Sequence, residues 1–361
     1  MKKIRNTLLL ILVGALCMTA FVGCSKKDGN ADVHVFYYTY SDTYISTVRS
    51  ALDKAFDGAG ISYQDHDSNN NQTTQTEQVQ TAITKGAKLL VVNIVTTGSD
   101  DAASGIVKLA KDAGIPVIFF NREVSDSVVK SYDKCAFIGT DASESGKLQG
   151  DMIGDYVVKN YNAIDLNGDG EISYVMFMGE KGNNEAIYRT RYSVENANAK
   201  LSAAGKKPLK FYDSSNTDKY LLDRDGKWSA QAANEYMTTI LSSHSTASKN
   251  MVELIICNND GMAEGAISAL SAAGYNTGKE DALEIPVFGV DATSAAKELI
   301  KAGKMAGTVK QDADGMAKAI LKCTQNGLAE KKLLDGMSDY NIDTGVDKVR
   351  IAYAVYLGEG D

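Results

Sequence analysis

The chain has 361 residues, 23% of them charged, with a net charge of −8 at pH 7 and a pI near 5.1. That balance excludes nucleic acid as a partner, because binding it needs a basic face. Even without residues 1–23 the chain exceeds the ~250 to 300 residues at which one hydrophobic core usually divides, so two lobes are expected.

Lys2, Lys3 and Arg5 precede an apolar run at residues 8–13, and Phe21-Val22-Gly23-Cys24 follows before the chain turns polar. This is the pattern of an exported lipoprotein: residues 1–23 as signal peptide, Cys24 as the lipidated residue, residues 24–31 as a tether. The apolar run is short for a membrane span of about 20 residues. The expected location is therefore the outer face of the cell membrane, held by a lipid anchor. Cys135, Cys257 and Cys323 are too few and too scattered for a disulfide framework.

Residues 33–38 read as a strand, followed by a polar loop with Asp42 and Tyr44 and a helix from about residue 45. Residues 65–72, DHDSNNNQ, read as a loop entering a helix that ends at Gly86. A strand at 89–94, a helix at 102–112 and a strand at 115–120 ending at Asn121 come next. Strands alternating with helices of this length build a parallel sheet covered on both faces. The same grammar returns later: strand 253–257 ends at Asn258-Asn259-Asp260, a helix follows, and IPVFGV ends at Asp291. Two of the chain's three prolines hold the same place in the two halves, before an apolar strand that ends in Asn or Asp. Two similar lobes are expected. Ligands of open parallel sheets bind beyond the carboxyl ends of the strands, so Asp42, Asn121, Asn259 and Asp291 are expected to face one cleft. Taken one at a time, each also suits a turn or a helix cap.

Between the halves lies DLNGDGEIS, residues 165–173. Asp165, Asn167 and Asp169 alternate, Gly170 turns the loop, and Glu171 and Ser173 follow, the front of a calcium loop. The bidentate Glu expected at its twelfth position is replaced by Met176, in the strand-like run 172–178, so the last ligand must come from a distant segment. Beyond that strand, Gly179, Gly182, Asn183, Asn184, Glu185 and Arg189 form a polar loop entering a helix, suited to a polar ligand.

Tyr38-x3-Asp42-x-Tyr44, IPVIFFNRE, FIGTDASESGKLQGD, DLNGDGEIS, NNDGMAEGA and IPVFGVDA together resemble the periplasmic galactose/glucose-binding proteins of bacterial ABC importers, within the type I periplasmic-binding-protein fold. The resemblance runs from Tyr37 to Tyr353. It implies two doubly wound parallel-sheet α/β lobes joined by a three-strand hinge, crossing at residues 139–141, 310–312 and 350–353. The lobes would be 32–140 with 312–350, and 141–311 with 351–361. It also implies an aromatic sandwich of Tyr44 and Trp228 around a pyranose. Polar contacts would come from Tyr38, Asp42, Asn121, Asn183, Glu185, Arg189, Asn259, Asp291 and Gln311. Calcium would be held by Asp165, Asn167, Asp169, the backbone oxygen of Glu171, Ser173 and the distant Glu253. Five of these positions depart from the family's usual residues: Asn183 for His, Glu185 for Asp, Gln311 for Asn, Tyr44 for Phe and, in the calcium loop, Ser173 for Gln.

These residue types suit a sugar. Aromatic rings cover the C–H faces of a pyranose, and planar polar side chains take its hydroxyl rim. The expected function is capture of a hexose, D-galactose or D-glucose, by a monomeric protein that delivers it to an ABC permease and its ATPase. A methyl galactoside or a pentose as ligand, or a sugar-sensing role on the same fold, are the alternatives. An enzyme is not expected: His34, His66 and His244 sit in no H-E-x-x-H or triad setting, and no Walker loop is present. Closely spaced acidic residues leave a glycosidase as the remaining enzymatic reading.

Overall fold

The computed structural model describes residues 31–358, so the expected leader, the Cys24 anchor and most of the tether lie outside the described residues. Five parallel strands form the first sheet: β1 (Val33–Tyr37), β2 (Tyr63–Asp67), β3 (Leu89–Val92), β4 (Val117–Phe120) and β5 (Cys135–Gly139). Helices α1 (Thr43–Ala59), α2 (Gln72–Thr84), α3 (Asp101–Ala113) and α4 (Asp126–Lys130) connect them. The chain then crosses over and builds a second sheet from β6 (Ser173–Met178), β7 (Lys210–Phe211), β8 (Leu221–Leu222), β9 (Leu254–Cys257), β10 (Val287–Asp291) and β11 (Gly307–Gln311). Its helices are α5 (Ala142–Ile164), α6 (Asn184–Ala203), α7 (Ala230–Leu241), α8 (Asp260–Ala272) and α9 (Ser294–Lys301). After α10 (Ala313–Leu328) come β12 (Asn341–Ile342) and β13 (Lys348–Arg350) on the first sheet and β14 (Tyr353–Tyr356) on the second.

The sheet orders are β12-β13-β5-β4-β3-β1-β2 and β14-β11-β10-β9-β6-β7, with β8 also pairing β6. This is the two-lobed α/β architecture expected. The sheets are mixed rather than purely parallel, because β12 pairs antiparallel to β13, and β14 antiparallel to β11. A second difference is β2. Residues 65–67 were expected in a loop, yet they pair with β1 as the edge strand of the first sheet. Their polarity fits a place where one side of the strand stays unpaired.

Helices cover both faces of each sheet, so the central strands LLVV of β3 and VIFF of β4 are apolar at every position and fully buried. Strand alternation sends Val33, Val35 and Tyr37 towards α1 and α10, while Phe36 packs in the opposite core with Val79 and Ile106. Each such buried Val, Leu or Phe contributes about 1.5 to 3 kcal/mol. The chain passes between the sheets three times: at Thr140–Asp141 after β5, at Asp312 after β11, and at Ile351–Ala352 between β13 and β14. Asp312 caps α10 by accepting from the Gly315 amide at 3.1 Å. Arg350 ties two crossings together by donating to the Thr140 carbonyl at 2.7 Å.

Candidate ligand site between the lobes

Three helices begin at one cavity. Asp42 caps α1, accepting from the Ile45 amide at 2.8 Å, and its other oxygen accepts from the Tyr38 hydroxyl at 2.6 Å. Asn183 caps α6 through the Ala186 amide at 3.2 Å, and Asn259 caps α8 through the Met262 amide at 2.9 Å. Each of these side chains both ends a helix and faces the cavity, so the two readings of Asp42 and Asn259 made from sequence hold together.

The cavity is narrow in this arrangement of the lobes: about 350 Å³ of space lies within it once open solvent is counted. Tyr38, Asp42, Tyr44, Asn121, Asn183, Glu185, Arg189, Trp228, Asn259, Asp291 and Gln311 all line it, together with Ile45 and Arg122. Tyr44 approaches from α1 of the first lobe and Trp228 from the loop before α7 of the second. Trp228 is only 8% exposed. It lies flat over Gly179, where a Cβ would fall 2.1 Å from the indole. Three lining residues hold left-handed or strained backbone: Asn121 at φ 60°, Trp228 at φ 55° and Asp291 at φ 126°. Strain of this kind gathers at ligand sites.

The lining is charged and buried. Arg189 on α6 sits 4.0 Å from Asp291 and 5.7 Å from the centre of the Trp228 ring. Burial pushes the Asp291 carboxyl well above the usual carboxylate range, with Arg189 opposing the shift. Burial likewise raises the pKa of Glu185, again opposed by Arg189. Arg189 also donates to the Asn258 carbonyl at 2.8 Å, to Gln311 at 3.3 Å and to the Tyr353 hydroxyl at 3.1 Å. Tyr353 in turn shares a hydrogen bond of 2.8 Å with Thr140. One guanidinium therefore touches a residue at the second crossing and one beside the third, and reaches the first through Tyr353.

Sequence reasoning missed Arg122, although it directly follows Asn121 at the end of β4. It is 4% exposed and lies 4.2 Å from the Tyr38 ring centre. It donates to both oxygens of Glu180, at 2.9 and 2.7 Å. Glu180 follows β6 in the opposite lobe and also accepts from Asn183 and, at 3.4 Å, from the Trp228 indole. This ion pair closes the lobes over the cavity.

Four buried polar atoms around the cavity have no partner in the protein: Tyr44 Oη, Arg122 Nε, Glu185 Oε1 and Gln311 Nε2. They include two donors, one acceptor and one group that does both. An unpaired buried polar group costs about 1 to 3 kcal/mol, so this lining is built to be completed by a small molecule rich in hydroxyl-like groups.

The second candidate site is the 165–173 loop. Asp165 accepts from the Gly168, Asp169 and Gly170 amides, closing the loop on itself. Gly168 and Gly170 supply the positive φ, 71° and 68°. The structure brings Glu253, fully buried at the start of β9, against the loop. It accepts from the Asn167 amide at 2.9 Å and from the Ser173 amide at 2.8 Å. Asn167 Oδ1 is buried with no partner. The Glu171 carboxylate instead pairs with Lys207 and Lys210. Among the described residues no three His, Cys, Asp or Glu side chains gather as a metal cluster. A cation here would have to rely on amide, hydroxyl and backbone oxygens beside the carboxylates, a mixture that hard cations accept.

Fold and cavity together define a two-lobed, hinge-linked protein that encloses a small ligand between its lobes. The chain belongs to the periplasmic binding protein domain family, whose model matches residues 33–332. A Haemophilus influenzae protein described as the D-galactose/methyl-galactoside binding periplasmic protein MglB is 36% identical over 305 residues, which is 84% of this chain and 83% of its own. The ribose import binding protein RbsB of Salmonella typhimurium is 26% identical over 311 residues, 86% of this chain and 87% of its own. A solved ABC transporter solute binding protein from Bacillus halodurans, with bound myo-inositol, superposes with a TM-score of 0.66 at 26% identity, covering 91% of this chain and 95% of its own. Among the described residues no helix is long and apolar enough to cross a membrane.

Proposed function

We propose that this protein is an extracytoplasmic solute-binding protein that captures a hexose, D-galactose or D-glucose, between its lobes and hands it to an ABC permease and its ATPase. It has no catalytic role in this reading. The carrying observation is the set of four unpartnered polar atoms around a cavity that also holds Tyr44 and Trp228. A pyranose supplies what that lining lacks: hydroxyls that both donate and accept, and C–H faces for the rings. The 36% identical relative is named for D-galactose and its methyl galactoside, which favours a hexose over a pentose. Asn183, Glu185, Gln311 and Tyr44 keep hydrogen-bonding or stacking capacity and set the preference among epimers.

A calorimetric panel of D-galactose, D-glucose, methyl galactoside, xylose, ribose and myo-inositol tests the proposal. Micromolar binding of galactose or glucose, with pentoses and inositol weaker, is expected; tighter binding of ribose or inositol overturns the hexose assignment.

The proposal extends to calcium and to the membrane. Asp165, Asn167, Asp169, Ser173, Glu253 and the Glu171 carbonyl would hold a structural Ca²⁺, stiffening the second lobe without touching the ligand. The protein would act as a monomer, tethered through a lipid on Cys24. Mass spectrometry of the membrane-extracted protein reads that modification directly.

A further inference from the structure

Asp291 carries a ligand-facing carboxylate on a backbone that disfavours it, with φ at 126° followed by Ala292 at φ 56°. Something must hold that turn. Beneath it lies Asp260, the first residue of α8 and wholly buried. Its Oδ2 accepts from the Thr293 amide at 2.8 Å, and its Oδ1 accepts from the Thr308 hydroxyl at 2.6 Å. The Ala292 amide donates to the same Thr308 hydroxyl at 3.4 Å, so Thr308 links this amide to the Asp260 carboxylate. The fit is close: a Cβ on Gly289 would lie 2.3 Å from Asp260 Oδ1. Glu264, one turn along α8, accepts from the Thr293 hydroxyl at 3.3 Å and steadies the far side of the turn.

We infer that Asp260 is a positioning residue of the ligand site: it clamps residues 291–293 in their strained conformation and so aims Asp291 at the ligand. It does not line the cavity itself. The clamp runs through two side chains, since Asp260 takes the Thr293 amide directly and the Ala292 amide through Thr308. It is also pre-formed, because all its partners are protein atoms. Holding the turn before ligand arrives spares binding the cost of ordering it.

This inference rests on the hexose-binding reading for its affinity test and is independent of it for its exchange test. Sugar titrations and melting temperatures are measured for the wild type, Asp260→Ala, Asp260→Asn and Thr308→Val, and amide hydrogen exchange at residues 292 and 293 is followed without ligand. Removing the carboxylate leaves the Thr293 amide and the Thr308 hydroxyl without their acceptor, so Asp260→Ala is expected to weaken galactose or glucose binding about tenfold or more and to speed exchange at 292 and 293. Asp260→Asn keeps an oxygen for the Thr293 amide and should restore slow exchange and affinity to within about threefold of wild type. Wild-type affinity and exchange in Asp260→Ala overturn the clamp, as does an Asn variant no better than Ala at equal melting temperature. Should Asp260→Ala fail to fold, Thr308→Val decides: faster exchange at 292 and 293 supports the clamp and unchanged exchange overturns it. A wild type that binds no hexose sinks the hexose reading, while the exchange data still judge the clamp.

Discussion

Asp42 spends one carboxylate oxygen on a helix amide and the other on the Tyr38 hydroxyl, and the carboxylate still lines the cavity. Because charge-assisted contacts of this kind contribute about 1.5 to 3 kcal/mol, Asp42→Ala and Asp291→Ala should each lower hexose affinity at least ~10-fold in a calorimetric titration. Arg122 calls for a different test. Arg122→Met keeps bulk against Tyr38 but leaves Glu180 without its cationic partner, so stopped-flow traces should show faster sugar release with little change in the association rate. The residues at strand ends and helix starts were legible in the sequence, because the ends of parallel strands must face the ligand. Arg122 was not, since a cation after a strand ordinarily points to solvent. Its burial comes from the Tyr38 ring, the Val95 carbonyl and Glu180, none of which lies beside it in the chain.

Among the elements, the 165–173 loop was half legible: D-x-N-x-D-G fixes the turn, whereas the supply of Glu253 from β9 depends on how the second sheet is ordered. Chelating calcium should lower the melting temperature, and Glu253→Gln should abolish that dependence while sugar affinity changes little. The edge strand β2 was misread because DHD looks like a loop until β1 is there to pair with it. This strand also brings His66 against His34, with 2.9 Å between ring nitrogens. Burial lowers the pKa of both, His66 from 6.5 to about 4. A base whose folded pKa is depressed contributes stability that is present above its ordinary pKa and lost as pH falls, here between 6.5 and about 4. Asp260, raised by burial to about 7, acts in the opposite sense, its contribution being lost as pH rises through that value. Melting curves of wild type and His66→Gln across this range separate the two: the variant should lose less stability on acidification.

At the level of the whole molecule, two lobes were legible because the sequence repeats one strand-and-helix grammar, with matching prolines before matching strands. The short β12, β13 and β14 were not, being two to four residues long; β12 and β14 run antiparallel to their neighbours, while β13 joins the first sheet parallel to the distant β5. Contacts such as Arg122 to Glu180 and Asn70 to the Asp225 carbonyl at 3.2 Å join the lobes, and a ligand held by both would favour the same closed state. Small-angle scattering should therefore record a smaller radius of gyration on adding galactose or glucose, and Trp228, the chain's single Trp, should report the same event by fluorescence.

Arg189 gives that closure an unusual constraint. The guanidinium that faces the cavity is also the knot at which Gln311, Tyr353 and, through Tyr353, Thr140 are gathered. Grip and gait are thus written into one side chain, and neither can be altered there without disturbing the other. Drift toward a new sugar has more freedom elsewhere, at Asn121 and Asn259, which line the cavity and bond to other partners, Asn93 and the Trp228 carbonyl.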